Sequence, residues 1–559
     1  MNERNPVHPV NPVYKQALKG IALSLPLLFL LLFFFYPLGA ILLRSFDRPP
    51  VLPEPLSLLR VFGFTLGQAT LSTLLTLLLG LPGAYVFSRY RFRGKTLLHA
   101  LTTIPFVLPT LVVATAFLAL IGPNGVLNAA LTRWLGLPPL DLQHTLAIIL
   151  IAHVFYNYSV VLRVVGGVWA NLNPHLEEAA RMLGAGRLRA WFEVTLPQLA
   201  PAVGAASLLV FMFCLTSFGT VMILGGPRFA TVEVEIYRQA AHLLNLPVAA
   251  ALSLGQMALT LAVMRAYTAL QRRATRPLDV RSRQTAQKVP RQPVDRLAIL
   301  GNVALMAVLL FAPLLALLWR SLTLGGPLSL RHFAALFQDS EQSYFWVSPG
   351  RAIGNSLLFA SATALLSTVL GALGAYLLAG RDHLRKISVW LDPLLVLPLG
   401  TSAVTLGLGY LLAFNRPPLN LIGSPAMIPV VHALIAFPFV LRSVLPALRG
   451  IQPALREAAS TLGATPWRIW LQVDLPLLAR PLLVGAAYAF SISLGEFGAT
   501  LLLARREYAT MPVAIYRYLS NPGTANLGQA LAMSVLLMLV CTASFVLIER
   551  FRVGEAGEF

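Results

Sequence analysis

The sequence predicts an all-α polytopic membrane protein of about 12 transmembrane helices, arranged as two parallel six-helix repeats. Three observations predict it. The chain is 57% hydrophobic and 12% charged, with a mean hydropathy of +0.72, where a soluble protein carries about 25% charged residues. Apolar runs approaching the roughly 20 residues that cross a bilayer recur along its 559 residues. A polar island between two such runs, Glu178 to Pro197, returns 279 residues later as Glu457 to Pro476.

Residues 1–20 form a polar, Pro-rich tail in which Lys15 and Lys19 approach the first apolar run. No small-residue cleavage site follows that run, so it reads as an uncleaved helix at 21–43. Further spans are expected near 62–88, 97–121, 145–165, 200–224 and 248–270, completing a first repeat over 21–270. Residues 271–295 hold seven Lys or Arg and three Pro and read as a flexible basic linker. A second repeat over 296–550 places spans near 296–319, 353–379, 388–414, 425–446, 481–503 and 526–548, before a short tail at 551–559. The two cysteines, Cys214 and Cys541, lie inside apolar runs and supply neither a disulfide framework nor metal-ligand spacing.

The net charge of +21 does not require a nucleic-acid partner. With the N-terminus inside, the loops at 89–95, 173–199, 271–295, 380–387 and 451–480 and the C-terminal tail all face the cytoplasm. They carry most of the span-flanking Lys and Arg, as the positive-inside rule requires. Both islands then lie on the cytoplasmic side of the membrane. The external loops, as at 44–60 and 225–245, are more balanced in charge.

The repeat extends beyond the islands. His153 matches His432, Arg163 matches Arg442, Pro174 matches Pro453, Phe218-Gly219 matches Phe497-Gly498, and Ile236-Tyr237-Arg238 matches Ile515-Tyr516-Arg517, all without a gap. Earlier, Gly80, Gly83, Ala84 and Tyr85 fall on Gly371, Gly374, Ala375 and Tyr376, and Pro109 falls on Pro398. Both copies run in the same direction, so a path is expected between them along the membrane normal.

Each island reads as a short amphipathic helix ended by glycine. Leu176, Ala179, Ala180 and Leu183 recur at helical spacing, as do Leu455, Ala458, Ala459 and Leu462. Asn173-Pro174 is a cap followed by Pro at the first helical position. Gln452-Pro453 repeats the Pro with a poorer cap, and Gly184 and Gly463 stand where a left-handed residue should end each helix.

These islands, EAARMLGAGRLRAWFEVTLP and EAASTLGATPWRIWLQVDLP, resemble the EAA signature of the membrane subunits of binding-protein-dependent ABC importers. Over about 55–550 the chain looks like a fused two-copy permease of the group handling iron(III) and thiamine; residues 211–239 and 491–502 look like the thiamine subgroup. The resemblance implies that each island folds as two short cytoplasmic helices docking on an ATPase subunit, two copies in all. It implies that Glu178, Ala179, Ala180, Gly184, Leu196 and Pro197, with Glu457, Ala458, Ala459, Gly463, Leu475 and Pro476, carry the coupling. An extracytoplasmic solute-binding protein is implied on the other face, where Gly225-Gly226-Pro227-Arg228 is either a contact for it or a plain turn. One departure is Arg480, standing where the first copy has Pro201.

No catalytic set, cofactor motif or metal cluster is legible. Gly94-Lys95-Thr96 ends like a phosphate loop, but residue 89 is Arg rather than Gly and no strand precedes it. Nucleotide hydrolysis is therefore expected from a separate subunit. Ionisable residues inside spans are candidates for the path, because charge in hydrocarbon costs several kcal/mol. Glu496 is the clearest, with Ser217 at the matching position. It either faces the path and helps a cation through or makes a packing hydrogen bond near a kink. His153 and His432 fall near mid-bilayer, about 15 Å from the inner helix ends at 1.5 Å per residue, as path-lining residues or as a helix–helix bond made twice. Arg163 and Arg442 are expected to anchor at headgroups or pair with Glu178 and Glu457. The rival class is an ion-coupled secondary carrier with parallel repeats.

Overall fold

The computed structural model describes residues 24–46, 55–274, 287–338, 348–379, 385–415 and 419–552. The N-terminal tail, residues 275–286 of the linker and residues 553–559 lie outside the described residues.

Every regular element named among the described residues is helical. Eleven helices are long and apolar enough to cross a membrane, and a bent pair makes a twelfth. In the first repeat these are α1 (Ser24–Ser45), α2 (Pro55–Arg89), α3 (Thr110–Leu135), α4 (Leu146–Asn171), α5 (Leu196–Leu215), and, after two short helices α6 (Gly219–Leu224) and α7 (Val232–Tyr237), α8 (Leu246–Ala274). The second repeat follows the same plan with α9 (Pro293–Thr323), α10 (Pro349–Ala379), α11 (Ala403–Ala413), α12 (Met427–Gly450), α13 (Leu475–Gly495), α14 (Gly498–Leu503), α15 (Met511–Ser520) and α16 (Thr524–Arg552).

Each repeat is centred on three tightly packed helices, α2, α4 and α5 in the first and α10, α12 and α13 in the second. The glycines that matched between copies make this packing possible. A Cβ on Gly80 would stand 2.9 Å from Val161, and one on Gly371 would stand 2.6 Å from Val440. Small residues let backbones approach in a medium where apolar side chains gain little by leaving lipid.

The first helix of each repeat crosses over. α1 packs on its own α8 and on α11 of the second repeat, and α9 packs on its own α16 and on α3 of the first. Phe29, Leu30 and Phe34 of α1 are buried in the second repeat's core, and Phe33 and Tyr36 meet Phe414 at 5.9 and 5.7 Å between ring centroids. The two halves are thereby interlocked.

Two expectations need correction. The third spans, expected as single helices at 97–121 and 388–414, are broken. In the first repeat the chain runs through Lys95–Leu101 and Ile104–Val107 before α3. Pro109 removes an amide donor and pushes Leu108 to extended backbone (ψ 140°). In the second repeat the segment bends by 98° before α11, which Ser402 caps by accepting from the amides of Val404 and Thr405. Likewise the segment 225–245, expected as an external loop, folds back inward. The Val232 amide donates to Thr65 Oγ1 (3.0 Å) and the Thr231 hydroxyl to the Ser217 carbonyl (3.5 Å). The second repeat copies this, with the Met511 amide donating to Ser356 Oγ at 2.7 Å. Each repeat thus sends a re-entrant hairpin back to the break in its fifth span.

The linker also differs from a free hinge at its described end. Backbone bonds of 2.8 and 3.0 Å pair Lys288 with Arg89 and Arg91, and the Tyr90 hydroxyl donates to Asp295 (2.8 Å). Gln292 and Asp295 form a capping box that starts α9.

Candidate functional site

Two places gather the functional candidates: a cavity between the repeats and the pair of islands on one face.

The cavity measures about 370 Å³. It is lined by the breaks of both fifth spans (216–220 and 495–498), by the breaks of both third spans, and by His153 and Asn157 of α4. Phe218 and Phe497, equivalent residues of the two repeats, stack across it at 5.5 Å and 25°. Each meets the tyrosine of its own hairpin, Phe218 with Tyr237 and Phe497 with Tyr516, both at 5.6 Å. A four-ring row therefore spans the boundary between the repeats. Tyr237 and Tyr516 line a second, larger cavity of about 840 Å³, bounded by loop residues such as Pro123, His144 and Pro227. That cavity lies across the aromatic row from the smaller one.

The four path candidates form two matched pairs. His153 bonds Ser72 through Nδ1 and Ser217 through Nε2, both at 2.9 Å. His432 bonds Ser493 through Nδ1 (2.7 Å) and reaches Glu496 (3.0 Å) and Thr500 (2.7 Å) through Nε2. Glu496 also accepts from the amides of Ala499 (2.7 Å) and Thr500 (3.0 Å) and from the Thr500 hydroxyl. It therefore caps α14 while bracing the fifth span to α12. His153, Ser217 and Glu496 line the cavity; His432 stands behind Glu496.

Sequence reading missed Glu233. It is fully buried on α7, lines the cavity, accepts from Ser402 of the other repeat, and meets Gln256 at 3.3 Å. The available signal was the gap-free match of 153–238 onto 432–517, which carries this hairpin inside the repeated core.

Each island is two short helices: Pro174–Met182 and Arg187–Ala190 in the first, Pro453–Thr461 and Pro466–Ile469 in the second. Glu178 and Ala179, like Glu457 and Ala458, are exposed; Ala180 and Ala459 are half-buried. Gly184 and Gly463 take φ of +92° and +80°, the left-handed conformation that ends a helix. Asn173 caps the first helix through the His175 amide (3.1 Å), whereas Gln452 makes no side-chain cap. Leu196-Pro197 and Leu475-Pro476 begin α5 and α13, each after a π-turn.

Each island is fastened to its own repeat by equivalent positions of opposite chemistry. Glu177 pairs with Arg89 (2.9 Å) and accepts from Thr195; at the matching places Arg456 pairs with Asp474 (2.7 Å). Met182, Leu183 and Leu462 are each 89% exposed, leaving apolar surface on otherwise polar segments. Hydrogen bonds from His175 and then Lys288 hold the Glu178 carboxyl below its ordinary range. Arg163 and Arg442 differ from expectation. Arg163 donates to Thr103 and Arg442 pairs with Asp392 (3.1 Å), so each ties the fourth span to the broken third span of its repeat.

Among the described residues no group of three or more His, Cys, Asp or Glu could hold a metal, and both cysteines are free and buried.

Comparison with known proteins bears on this architecture directly. The family model described as the binding-protein-dependent transport system inner membrane component matches the chain twice, at residues 77–276 and 367–552. The chain belongs to this family. Each match falls largely within one of the two repeats and contains one island. Thiamine transport system permease proteins of Brucella abortus (strain 2308) and Escherichia coli (strain K12) are each 28% identical, over 89% and 88% of both chains respectively. A putative ferric transport system permease protein of Haemophilus influenzae is 25% identical over 88% of this chain and 79% of that one. The permease is therefore a multi-pass transport subunit of an ABC importer, with an ATPase and a solute-binding protein as partners. The comparisons lend the ion-coupled carrier no support.

Proposed function

We propose that this permease carries a small cationic solute, with thiamine as the first candidate and iron(III) as the second, by alternating access driven through its two islands. The relatives' names and their extent of coverage support thiamine; the ferric relative shares less identity. The halves 21–270 and 296–550 act as two arms around the cavity, with 271–295 as the tether between them. Two ATPase subunits dock, one per island, through Glu178, Ala179, Ala180, Gly184, Leu196 and Pro197 and through Glu457, Ala458, Ala459, Gly463, Leu475 and Pro476. The islands and both termini face the cytoplasm of a bacterial inner membrane, in keeping with the basic loops.

The observation that carries this reading is the matched pair of islands. The same two-helix unit occurs twice, with apolar residues exposed and an anchoring bond to the fifth span that each unit leads into. Motion of an island is thus delivered to α5 or α13, and so to the breaks at 216–218 and 496–497. The aromatic row Tyr237–Phe218–Phe497–Tyr516 acts as the gate between the two cavities, and the His153–Ser217 and His432–Glu496 pairs hold its hinges. The solute-binding protein delivers to the far side, near 225–228. Reconstitution with the cognate ATPase and binding protein tests this. Uptake of labelled thiamine into proteoliposomes should require ATP and the binding protein. Uptake by the permease alone under a proton or sodium gradient would overturn it.

A further inference from the structure

We propose that the cavity between the repeats is a recognition site for a flat organic cation carrying hydrogen-bond donors, with Glu233 as its charge partner. This rests on the permease reading and adds the chemical class of ligand and the residue that selects it.

The lining holds unpaired polar groups. Asn157 and Thr220 are 2% and 1% exposed, yet Asn157 Oδ1 and Thr220 Oγ1 have no hydrogen-bond partner, and nor does the Tyr156 hydroxyl. All three residues line this cavity. The Asn157 amide nitrogen is already committed to the His153 carbonyl (2.9 Å), so what remains open is an acceptor. Buried polar groups are almost always bonded. Of the three, Asn157 Oδ1 can only accept, so it calls for a donor, whereas the Thr220 and Tyr156 hydroxyls can accept or donate.

Two carboxylates line the cavity, and their states differ. Glu496 is saturated: both oxygens are held by the α14 amides, Thr500 and His432. Glu233 accepts from Ser402 and from Gln256 at 3.3 Å, and makes no ion pair among the described residues. A buried carboxyl without a countercharge either holds a proton or takes up a cation as its partner. Its asymmetry fits a ligand role. The matching residue of the second repeat is Pro512, whereas the bracing pairs occur in both repeats.

The walls choose among cations. Phe106, Phe213, Phe218 and Phe497 line the space, and ring faces attract organic cations within about 6 Å of a centroid. A hard metal ion favours several oxygen ligands, carboxylates among them, converging on one point, and among the described residues no group of three or more His, Cys, Asp or Glu does so. The volume, about 370 Å³, falls in the range of small-molecule pockets, about 300–1,000 Å³.

The test is equilibrium binding of radiolabelled thiamine to the detergent-purified permease–ATPase complex without binding protein, with thiochrome as an uncharged analogue and iron(III) citrate as competitor. The wild type should prefer thiamine over thiochrome at least tenfold, and iron(III) citrate should not displace it. Glu233→Gln should abolish that preference and Glu233→Asp should retain it, a charge-specific pattern that a packing role would not produce. A preference surviving in Glu233→Gln, displacement by iron(III) citrate, or the absence of saturable binding to wild type would each overturn the proposal. Nucleotide hydrolysis on the same samples separates the two readings. Hydrolysis without thiamine binding sinks the site alone. Thiamine binding in samples that hydrolyse no nucleotide leaves the site standing and contradicts the importer reading.

Discussion

Glu496 and Ser217 occupy equivalent places and do unequal work, which gives an internal comparison. Replacing Glu496 by Ala removes the acceptor for two buried amides, those of Ala499 and Thr500, and one of the bonds to His432. His432 keeps Ser493 and Thr500. An orphaned buried donor costs about 1–3 kcal/mol, and a single interhelical bond in a membrane protein contributes about 0.6 kcal/mol. Taking the low end for each amide, Glu496→Ala should destabilise by about 2–3 kcal/mol. Ser217→Ala removes one 2.9 Å bond to His153 and should cost about 0.6 kcal/mol. Thermal unfolding in detergent, followed through the eight tryptophans, ranks the two variants. A drop in apparent midpoint for Glu496→Ala no larger than that for Ser217→Ala would refute the capping role.

Other outcomes follow from the same geometry. Leu183→Asp and Leu462→Asp should each weaken ATPase association by about 2 kcal/mol, the burial value of one such side chain, or about thirtyfold by pull-down titration. Gly371→Ala should destabilise by about 1–3 kcal/mol through overpacking, since its Cβ would lie 2.6 Å from Val440 and 3.0 Å from the Leu441 amide nitrogen. Gly39→Ala, with nothing within 4 Å, should be neutral or mildly stabilising in the same unfolding assay. The Glu178 pKa is depressed below 4.5, so its contact with Lys288 is fully present above that value and is lost as pH falls through the folded pKa. Protection at 287–292, as exchange relative to the intrinsic rate at each pH, should accordingly fall as pH drops through a value below 4.5 in wild type, with no such step in Glu178→Gln.

The islands were legible because their signals are local. Asn173, Pro174 and Gly184 act on their own backbone, and Gln452 fails to cap just where its side chain suggested. The helix contacts at Gly80 and Gly371 were legible as paired glycines, though only packing gave them Val161 and Val440 as neighbours. The breaks of the third spans were not read. Pro109 and Pro398 were aligned between copies, but an average over an apolar run cannot tell a kinked span from a straight one. Glu233 was lost for a related reason: a hairpin re-entering the protein is too short to resemble a span, so its charge was assigned to solvent. The pairings of Arg163 and Arg442 with Thr103 and Asp392 depend on how the broken third span turns, which no local pattern specifies. Nor does a Phe-rich α1 reveal which repeat it will cover.

The most direct measurement places single cysteines at Leu183 and Leu462, with the native Cys214 and Cys541 buried and silent. Crosslinking in native membranes should join each position to its own ATPase subunit, in an ATP-sensitive way, while an impermeant thiol reagent added outside should label neither. External labelling at either position, or a crosslink confined to one island, would contradict the account.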